Sequence, residues 1–352
     1  MTTATATGDI AIRLRRHRGL IVAVITFAVL YGIYNFNHPR GFSSQVMVQN
    51  STEAFSLVML AMAQTMPVLM GAVDLSVGAV MTLCNCLASV LLSGSPLQIA
   101  LGAVLCLAAG TAFGAVNGLI VVYGRLQPII ATLATGAVAI GIALYIRPTP
   151  GGSVDDDLSW ALTNTVSDFL ETYGLFPDGL PGWARFIGAI PVPLIMAVIL
   201  AFLCRTILAR TVIGRTIYAI GSSEGAAYMS GLPVARAKIA AFALSGFFAA
   251  CGGLFFALQT SSGNADIPQA GAYTLNSIAA VVLGGTSLMG GSGGAIASLF
   301  GALILRTISF SFRIFSVDPL IQPLVEGGIL LAIVSFGAVH LLRVKNTLEL
   351  VR

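Results

Sequence analysis

Long apolar segments alternate with short polar breaks along almost the whole chain. A membrane-spanning helix needs about 20 mostly apolar residues. By this criterion the pattern predicts an all-α polytopic membrane protein with about ten transmembrane helices, some of them interrupted. The predicted spans are residues 19–36, 53–71, 75–92, 97–123, 128–146, 189–209, 238–259, 277–290, 294–311 and 321–341.

The positions of the basic residues predict how these spans are oriented. Four arginines lie between residues 13 and 18, and no small-residue cleavage site follows the first span, so we expect an uncleaved anchor. With the N-terminus inside, about 13 of the 18 Lys and Arg residues lie on the inner side and about 5 on the outer side. This bias places residues 1–18 and the tail 342–352 in the cytoplasm, on either side of a transmembrane domain over 19–341.

Two interruptions of the helical pattern indicate a transport path. Residues 54–92 would form one helix about 58 Å long, nearly twice the hydrocarbon thickness, so the chain must turn near 66–76. We expect Asp74 to be the N-cap of the helix that follows. The second interruption is the glycine-rich stretch 284–294, which is equally compatible with a plain turn between helices. Interrupted spans are tolerated where protein or a cavity satisfies the backbone.

Two stretches are too polar to cross a membrane. Residues 147–188 form a predicted outer loop rich in Asp, and its middle, 158–170, is a candidate short helix on the membrane surface. This loop is either a docking surface for an external partner or simply a solvated connection. Residues 209–237 form an inner loop of small residues, whose predicted short helices suit docking into a groove on a cytoplasmic partner.

The composition and the missing motifs exclude several functions. Only 9% of the residues are charged and 57% are hydrophobic, which excludes a soluble enzyme, a disordered chain and a nucleic-acid binder. Neither Lys238 nor Lys345 lies in a phosphate-binding loop, so we expect no ATP hydrolysis and no bound cofactor on this chain. The five cysteines and three histidines are scattered, which predicts no metal site. The ionisable residues at possible membrane depth are Glu53, Asp74, Arg306 and Glu326.

Uncharged polar residues near the spans remain as candidates for contact with a solute. They are Gln64, Thr65, Asn85, Asn117, Thr132, Gln259, Asn264 and Asn276. Such groups suit a neutral, hydroxyl-rich solute, because desolvating charges would cost more free energy. We expect Gln64, Asn117 and Asn276 to face the path and Asp74 and Ser76 to border it. Hydrogen bonding between helices is the alternative role for each of them.

Three blocks of sequence resemble one known family. Residues 71–78, GAVDLSVG, are similar to the GGIDLSVG signature of the ribose-type permeases of ABC sugar importers. Residues 214–221, GRTIYAIG, resemble the GR-x-[IV]-YAIG stretch of that family, and residues 279–288, AAVVLGGTSL, resemble a third block. The three occur in the family order. Two departures are Ala72, where Gly is usual, and Ser222-Ser223-Glu224, where Gly-Asn is frequent.

The resemblance implies partners and a mechanism that the composition does not. A cytoplasmic ABC ATPase, carrying ATP and Mg²⁺, would dock on the inner loop. The implied coupling residues are Gly214, Arg215, Tyr218, Gly221, Glu224, Ala226, Ala227 and Gly231. An external binding protein would deliver a monosaccharide, and a second permease, identical or paralogous, would complete the importer in a bacterial inner membrane.

Two other classes of function stay open at this point. A stand-alone facilitator or an ion-coupled sugar carrier also explains the spans, with Asp74 or Glu326 as the first candidates for ion coupling. Such a carrier gives the inner loop no role. A membrane scaffold or a lipid-modifying enzyme is the third possibility, but the chain shows no cluster of titratable residues that an enzyme would need.

Overall fold

The computed structural model describes residues 18–175, 181–182, 185–318 and the single positions 321, 324–325, 327–328 and 331. Over these residues the chain is helical and forms no β-strand beyond two isolated bridges. The helices are α1 (Arg18–Asn37), α2 (Ser44–Leu69), α3 (Val77–Leu91), α4 (Pro96–Tyr123), α5 (Pro128–Ile146), α6 (Asp156–Thr163), α7 (Val166–Thr172), α8 (Arg185–Gly188), α9 (Val192–Arg210), α10 (Val212–Ser222), α11 (Glu224–Met229), α12 (Val234–Thr260), α13 (Ile267–Leu283) and α14 (Ala295–Ile314).

Seven helices in the described part of the chain are long and apolar enough to cross a membrane: α1, α2, α4, α5, α9, α12 and α14. The shorter apolar helices α3 and α13 occupy two further predicted spans. The all-helical membrane fold is therefore confirmed, with nine of the predicted segments on helices. The tenth, 321–341, lies almost entirely outside the described residues.

The segment predicted at 277–290 is displaced in the structure. Helix α13 begins ten residues earlier, because Asp266 caps it by accepting from the Gln269 N–H at 3.1 Å. It ends at Leu283, where Gly284 and the positive φ of Gly285 turn the chain. The polar residues Gln269 and Asn276 interrupt the apolar pattern. A criterion based on hydropathy therefore does not detect the first half of this helix.

Helix α12 is the centre of the bundle and packs against α2, α3 and α4. The contact with α4 runs through small residues, and a Cβ at Gly114 or Gly246 would overlap the backbone of the opposite helix. Close backbone approach of this kind is the usual way in which membrane helices associate. Helix α2 lies beside α12 and is buried over most of its length. The core therefore surrounds the α2–α3 break instead of lying far from it.

The middle of the predicted outer loop contains two short helices where one was expected. Helices α6 and α7 are separated at Asn164, and Thr165 starts α7 in a reciprocal capping box with Asp168. The loop is tied to the bundle, since Thr52 on α2 donates to the Thr163 carbonyl oxygen at 2.8 Å and Ser159 donates to the Leu258 carbonyl oxygen. The expectation of one helix over 158–170 was wrong because the capping box stops and restarts the helix.

Candidate functional site

The break between α2 and α3 buries the carboxylate of Asp74 in a network of hydrogen bonds. Its Oδ1 accepts from the backbone N–H and the hydroxyl of Ser76 at 2.9 and 2.6 Å, and its Oδ2 accepts from the Ser245 hydroxyl on α12 at 2.8 Å. The Gln64 amide donates to the Asp74 carbonyl oxygen at 2.9 Å and accepts from the Asp74 N–H at 3.2 Å. Asp74 is 1% exposed, so these groups take the place of water around it.

The network continues from Ser76 across α4 to α5. Asn117 on α4 donates from its side-chain nitrogen to the Ser76 hydroxyl at 2.8 Å, and Thr135 on α5 donates to the Asn117 side-chain oxygen. Thr132, also on α5, accepts from the Leu75 N–H at 2.9 Å. The irregular backbone of the break is thus satisfied by side chains of neighbouring helices, as a segment inside a membrane protein must be.

The structure brings together four of the five residues that we predicted for the path. Gln64, Asp74, Ser76 and Asn117 are buried and hydrogen-bonded within one network, whereas Asn276 lies apart, half-buried on α13. The predicted N-cap was wrong by two residues, because α3 begins at Val77 and Ser76 is its N-cap. Asp74 does accept a free backbone N–H, but it is that of the capping residue.

Two members of the network were not predicted from the sequence. Ser245 and Thr135 are single hydroxyl residues on long apolar helices, where Ser and Thr commonly bond their own helix backbone. Thr135 does so as well, by donating to the Ala131 carbonyl oxygen at 3.1 Å. Only the fold places Ser245 opposite Asp74. No pattern of spacing in the sequence distinguishes these two from other helix-bonded hydroxyls.

The inner loop meets the break through close-packed glycines, which we call the glycine junction: Gly71, Gly221, Gly290 and Gly291. The Gly291 N–H donates to the carbonyl oxygen of Leu69, the last residue of α2, at 2.9 Å. A Cβ at Gly221 would overlap both the Leu69 carbonyl oxygen and the Gly291 nitrogen. Gly71, Gly290 and Gly291 have positive φ angles, which favour glycine. The first two sequence blocks and the glycines that follow the third block therefore come together at one place.

Tyr218 gives α10 a second contact with the glycine-rich stretch. Its hydroxyl donates to the Gly293 carbonyl oxygen at 2.9 Å. Burial is the main cause that raises the pKa of the Tyr218 phenol above its ordinary value, with a smaller contribution from Cys204. A raised pKa keeps the phenol protonated at neutral pH, so the donor is present under physiological conditions.

The residues predicted for coupling lie on one surface feature, which we call the coupling platform: α10, α11 and the turn up to Gly231. Gly214 and Ala227 face inward, whereas Arg215, Glu224 and Ala226 are exposed. The platform also exposes large apolar side chains that were not predicted as coupling residues from the sequence, namely Val212, Tyr228 and Met229. An ion pair between Glu224 and Lys238, 2.6 Å apart, joins α11 to the start of α12.

Each ionisable residue predicted at membrane depth has a hydrogen-bond partner wherever the structure describes it. Arg313 binds Glu53 through both nitrogens, at 3.0 and 2.6 Å. Arg306 donates to the Tyr273 hydroxyl at 2.7 Å and stacks over the Tyr273 ring. Glu326 lies outside the described residues. Within the described part of the chain, no group of three His, Cys, Asp or Glu residues is placed to hold a metal ion.

Comparison with known proteins places the chain in a family. The family model described as the permease component of the branched-chain amino acid transport system matches residues 46–334. The ribose import permease RbsC of Haemophilus influenzae is 32% identical over 314 residues, covering 88% of this chain and 90% of that protein.

Further relatives share this similarity over most of their length. RbsC of Bacillus subtilis is 36% identical over 275 residues, which cover 78% of each chain. The D-allose transport system permease AlsC of Escherichia coli is 32% identical over 317 residues, or 88% of each chain. No solved structure matches the chain significantly.

Proposed function

The chain belongs to the family of sugar ABC transporter permeases, and from this membership we propose that it forms the membrane path for a monosaccharide or a similar neutral polyol. The relatives carry ribose and allose by name. The uncharged amides and hydroxyls near the α2–α3 break can exchange hydrogen bonds with a hydroxylated solute, and they bring no free charge that would need compensation. The chain itself is a transport subunit and not an enzyme.

The observation that carries the coupling proposal is the glycine junction. A cytoplasmic ABC ATPase, binding ATP and Mg²⁺, would seat on the coupling platform, where exposed Tyr228 and Met229 offer apolar anchors. Any shift of α10 pushes Gly221 against the end of α2, because the two backbones touch with no side chain between them. The break that follows α2 leads directly to Asp74. Nucleotide-driven motion at the platform would thereby reach the buried network.

In this proposal the buried network is a hinge that borders the path. Gln64, Asp74, Ser76 and Asn117 hold the break closed through hydrogen bonds that can be exchanged when the helices move. Asn276, which is half-buried outside the network, is the candidate for direct contact with the solute. Alternating access would then open and close the break without leaving backbone groups unsatisfied.

The proposed importer contains partners on both sides of the membrane. An external sugar-binding protein would meet the outer loop 147–188, and a second permease, identical or paralogous, would complete the path. We propose ten spans with both termini in the cytoplasm of a bacterium, which keeps the inner loop 209–237 on the side of the ATPase. The bias of Lys and Arg toward that side supports this arrangement.

Purification of the tagged chain from its own membranes in mild detergent tests this function. We expect a stoichiometric chain with a phosphate-binding loop to co-purify, and the reconstituted complex to accumulate a neutral sugar with ATP inside the compartment. The number of distinct permease chains settles the homodimer against the heterodimer. A chain that comes out alone and moves a sugar or an ion without ATP would replace the importer with a carrier.

A further inference from the structure

A crevice of about 590 Å³ lies between α9 and the packed pair α4 and α12, beneath the outer loop. Helix α12 packs closely on α4, whereas α9 packs against α2 and α14 and leaves the space beside α12 open. The crevice has the volume of a small-molecule site. It lies away from the Asp74 network, and none of the residues in that network lines it.

The walls of this crevice are hydrocarbon over most of their length. One face of α4 contributes Ile99, Ala103 and Leu107, and the facing side chains on α9 are Met196 and Leu200. A hydroxylated solute would lose its hydrogen bonds to water on entering and would gain none from these side chains. The crevice is therefore unsuited to the transported sugar.

The length of the crevice matches one leaflet of a bilayer. Its lining on α4 runs from Pro96 to Leu107, a rise of about 16 Å at 1.5 Å per residue. Half of a hydrocarbon core about 30 Å thick is about 15 Å. The outer faces of α4 and α9 carry exposed Leu97, Leu101 and Phe202, as expected of helices that face lipid. An acyl chain could enter the crevice from the bilayer at its natural depth.

The mouth of the crevice carries two carboxylates. Asp155 and Asp157 lie at its rim together with Tyr173. Asp155 accepts from the Leu158 N–H at 2.8 Å, and neither carboxylate forms an ion pair with a residue that the structure describes. Burial, and to a smaller extent these two carboxylates, raises the pKa of Tyr173, so the phenol adds no charge at neutral pH. The rim is complementary to a cation that can also donate hydrogen bonds.

We propose that this crevice binds a phospholipid with a primary ammonium in its headgroup, such as phosphatidylethanolamine. One acyl chain lies along the α4 face between Ile99 and Leu107, and the ammonium donates to the carboxylates of Asp155 and Asp157. The site needs α4 and α9 to cross the membrane, but it is independent of the identity of the transported solute. The bound lipid would hold α9 against the core at the end of α9 that joins the outer loop.

Competition between two lipids tests the headgroup. The intact complex is purified in detergent and titrated with phosphatidylethanolamine or with phosphatidylcholine of the same acyl chains, and bound lipid is counted by native mass spectrometry. We expect tighter retention of phosphatidylethanolamine, since the trimethylated headgroup has no N–H donor. Asp157→Asn should reduce this preference about two- to five-fold, the effect of one exposed ion pair. Asp156→Asn, exposed but outside the lining, is the matched control.

A second pair of variants tests the acyl chain. Ala103→Phe fills the crevice, whereas Ala108→Phe adds the same bulk on an exposed part of α4 outside the lining. We expect the retained lipid to disappear in the first variant only. Equal lipid counts in the two variants, or equal retention of both headgroups with no effect of Asp157→Asn, would overturn the proposal. A loss of the second permease without a loss of lipid would assign the crevice to the subunit interface.

Discussion

At the scale of single residues, the Asp74 network decides whether that carboxylate is structural or carries ions. Every described hydrogen bond to its side-chain oxygens comes from a neutral donor, Ser76 or Ser245. A buried carboxylate held by neutral donors stabilises a local geometry, whereas an ion-coupling carboxylate must be reached by its ion. The hydrogen bonds therefore favour a hinge over an ion site.

Asp74→Asn separates these two roles. The amide keeps the shape but turns one acceptor into a donor that faces hydroxyl and N–H groups, and an unsatisfied buried polar group costs about 1–3 kcal/mol. We expect a lower apparent midpoint of thermal unfolding of the purified protein, with uptake reduced in parallel. Asp156→Asn, the same change on the exposed outer loop, should shift stability by less than about 0.5 kcal/mol. Unchanged stability with abolished uptake would instead favour an ion-coupled carrier.

The extent to which single residues could be predicted depended on their chemistry. Amides and carboxylates stand out in apolar spans, so Gln64, Asp74 and Asn117 were identified from the sequence alone. Ser245 was not given a role, because a serine satisfied by its own helix and one that crosses to another helix have the same sequence. The partner of such a residue is decided by helix packing, which is non-local.

At the scale of elements, the glycine junction brings the backbone of α10 into direct contact with the end of α2. The sequence placed Gly221 and Gly290 in separate stretches, and only the fold shows that they touch.

The accuracy of the predicted helix ends also depended on how far each helix is determined by local sequence. Uniformly apolar helices such as α4 and α5 were predicted within a residue or two, whereas α13 was displaced because its polar face and its cap depend on the packing around it.

Gly221→Ala tests the mechanical contact at this junction. The new methyl group overlaps the Leu69 carbonyl oxygen and the Gly291 nitrogen, and overpacking of this kind costs about 1–3 kcal/mol. Because such an energy corresponds to about a 5- to 150-fold shift of an equilibrium, we expect ATP-driven uptake to fall by a factor in this range. Uptake and ATP hydrolysis are measured in the same reconstituted vesicles.

Gly225→Ala is the matched control for this variant. It makes the same change on α11, where a Cβ would meet nothing within 4 Å, and it should leave sugar uptake and ATPase activity as in the native complex. Hydrolysis that continues without uptake in Gly221→Ala would show loss of coupling. Equal uptake in both variants would mean that the junction does not transmit motion.

At the scale of the whole molecule, the proposed topology puts the outer loop and the coupling platform on opposite sides of the membrane. Of the described helices between them, α9 is the one that is long and apolar enough to cross. The outer loop 147–188 carries six acidic and two basic residues, whereas the inner loop 209–237 carries three arginines and one glutamate. This charge difference supports the proposed orientation. This arrangement decides which partner can reach which surface.

Cysteine labelling in intact cells tests this arrangement. Ser153→Cys lies exposed in the outer loop, and Ser230→Cys lies exposed on the platform. We expect a membrane-impermeant maleimide to label the first variant in intact cells and the second only after the membrane is opened. The native chain serves as the background, since its five cysteines are buried or half-buried. Labelling of Ser230→Cys from outside would place the platform beyond the reach of a cytoplasmic ATPase. The coupling mechanism would then fail even if the chain still carried a sugar, because the platform, with its exposed Tyr228 and Met229, would face the wrong compartment.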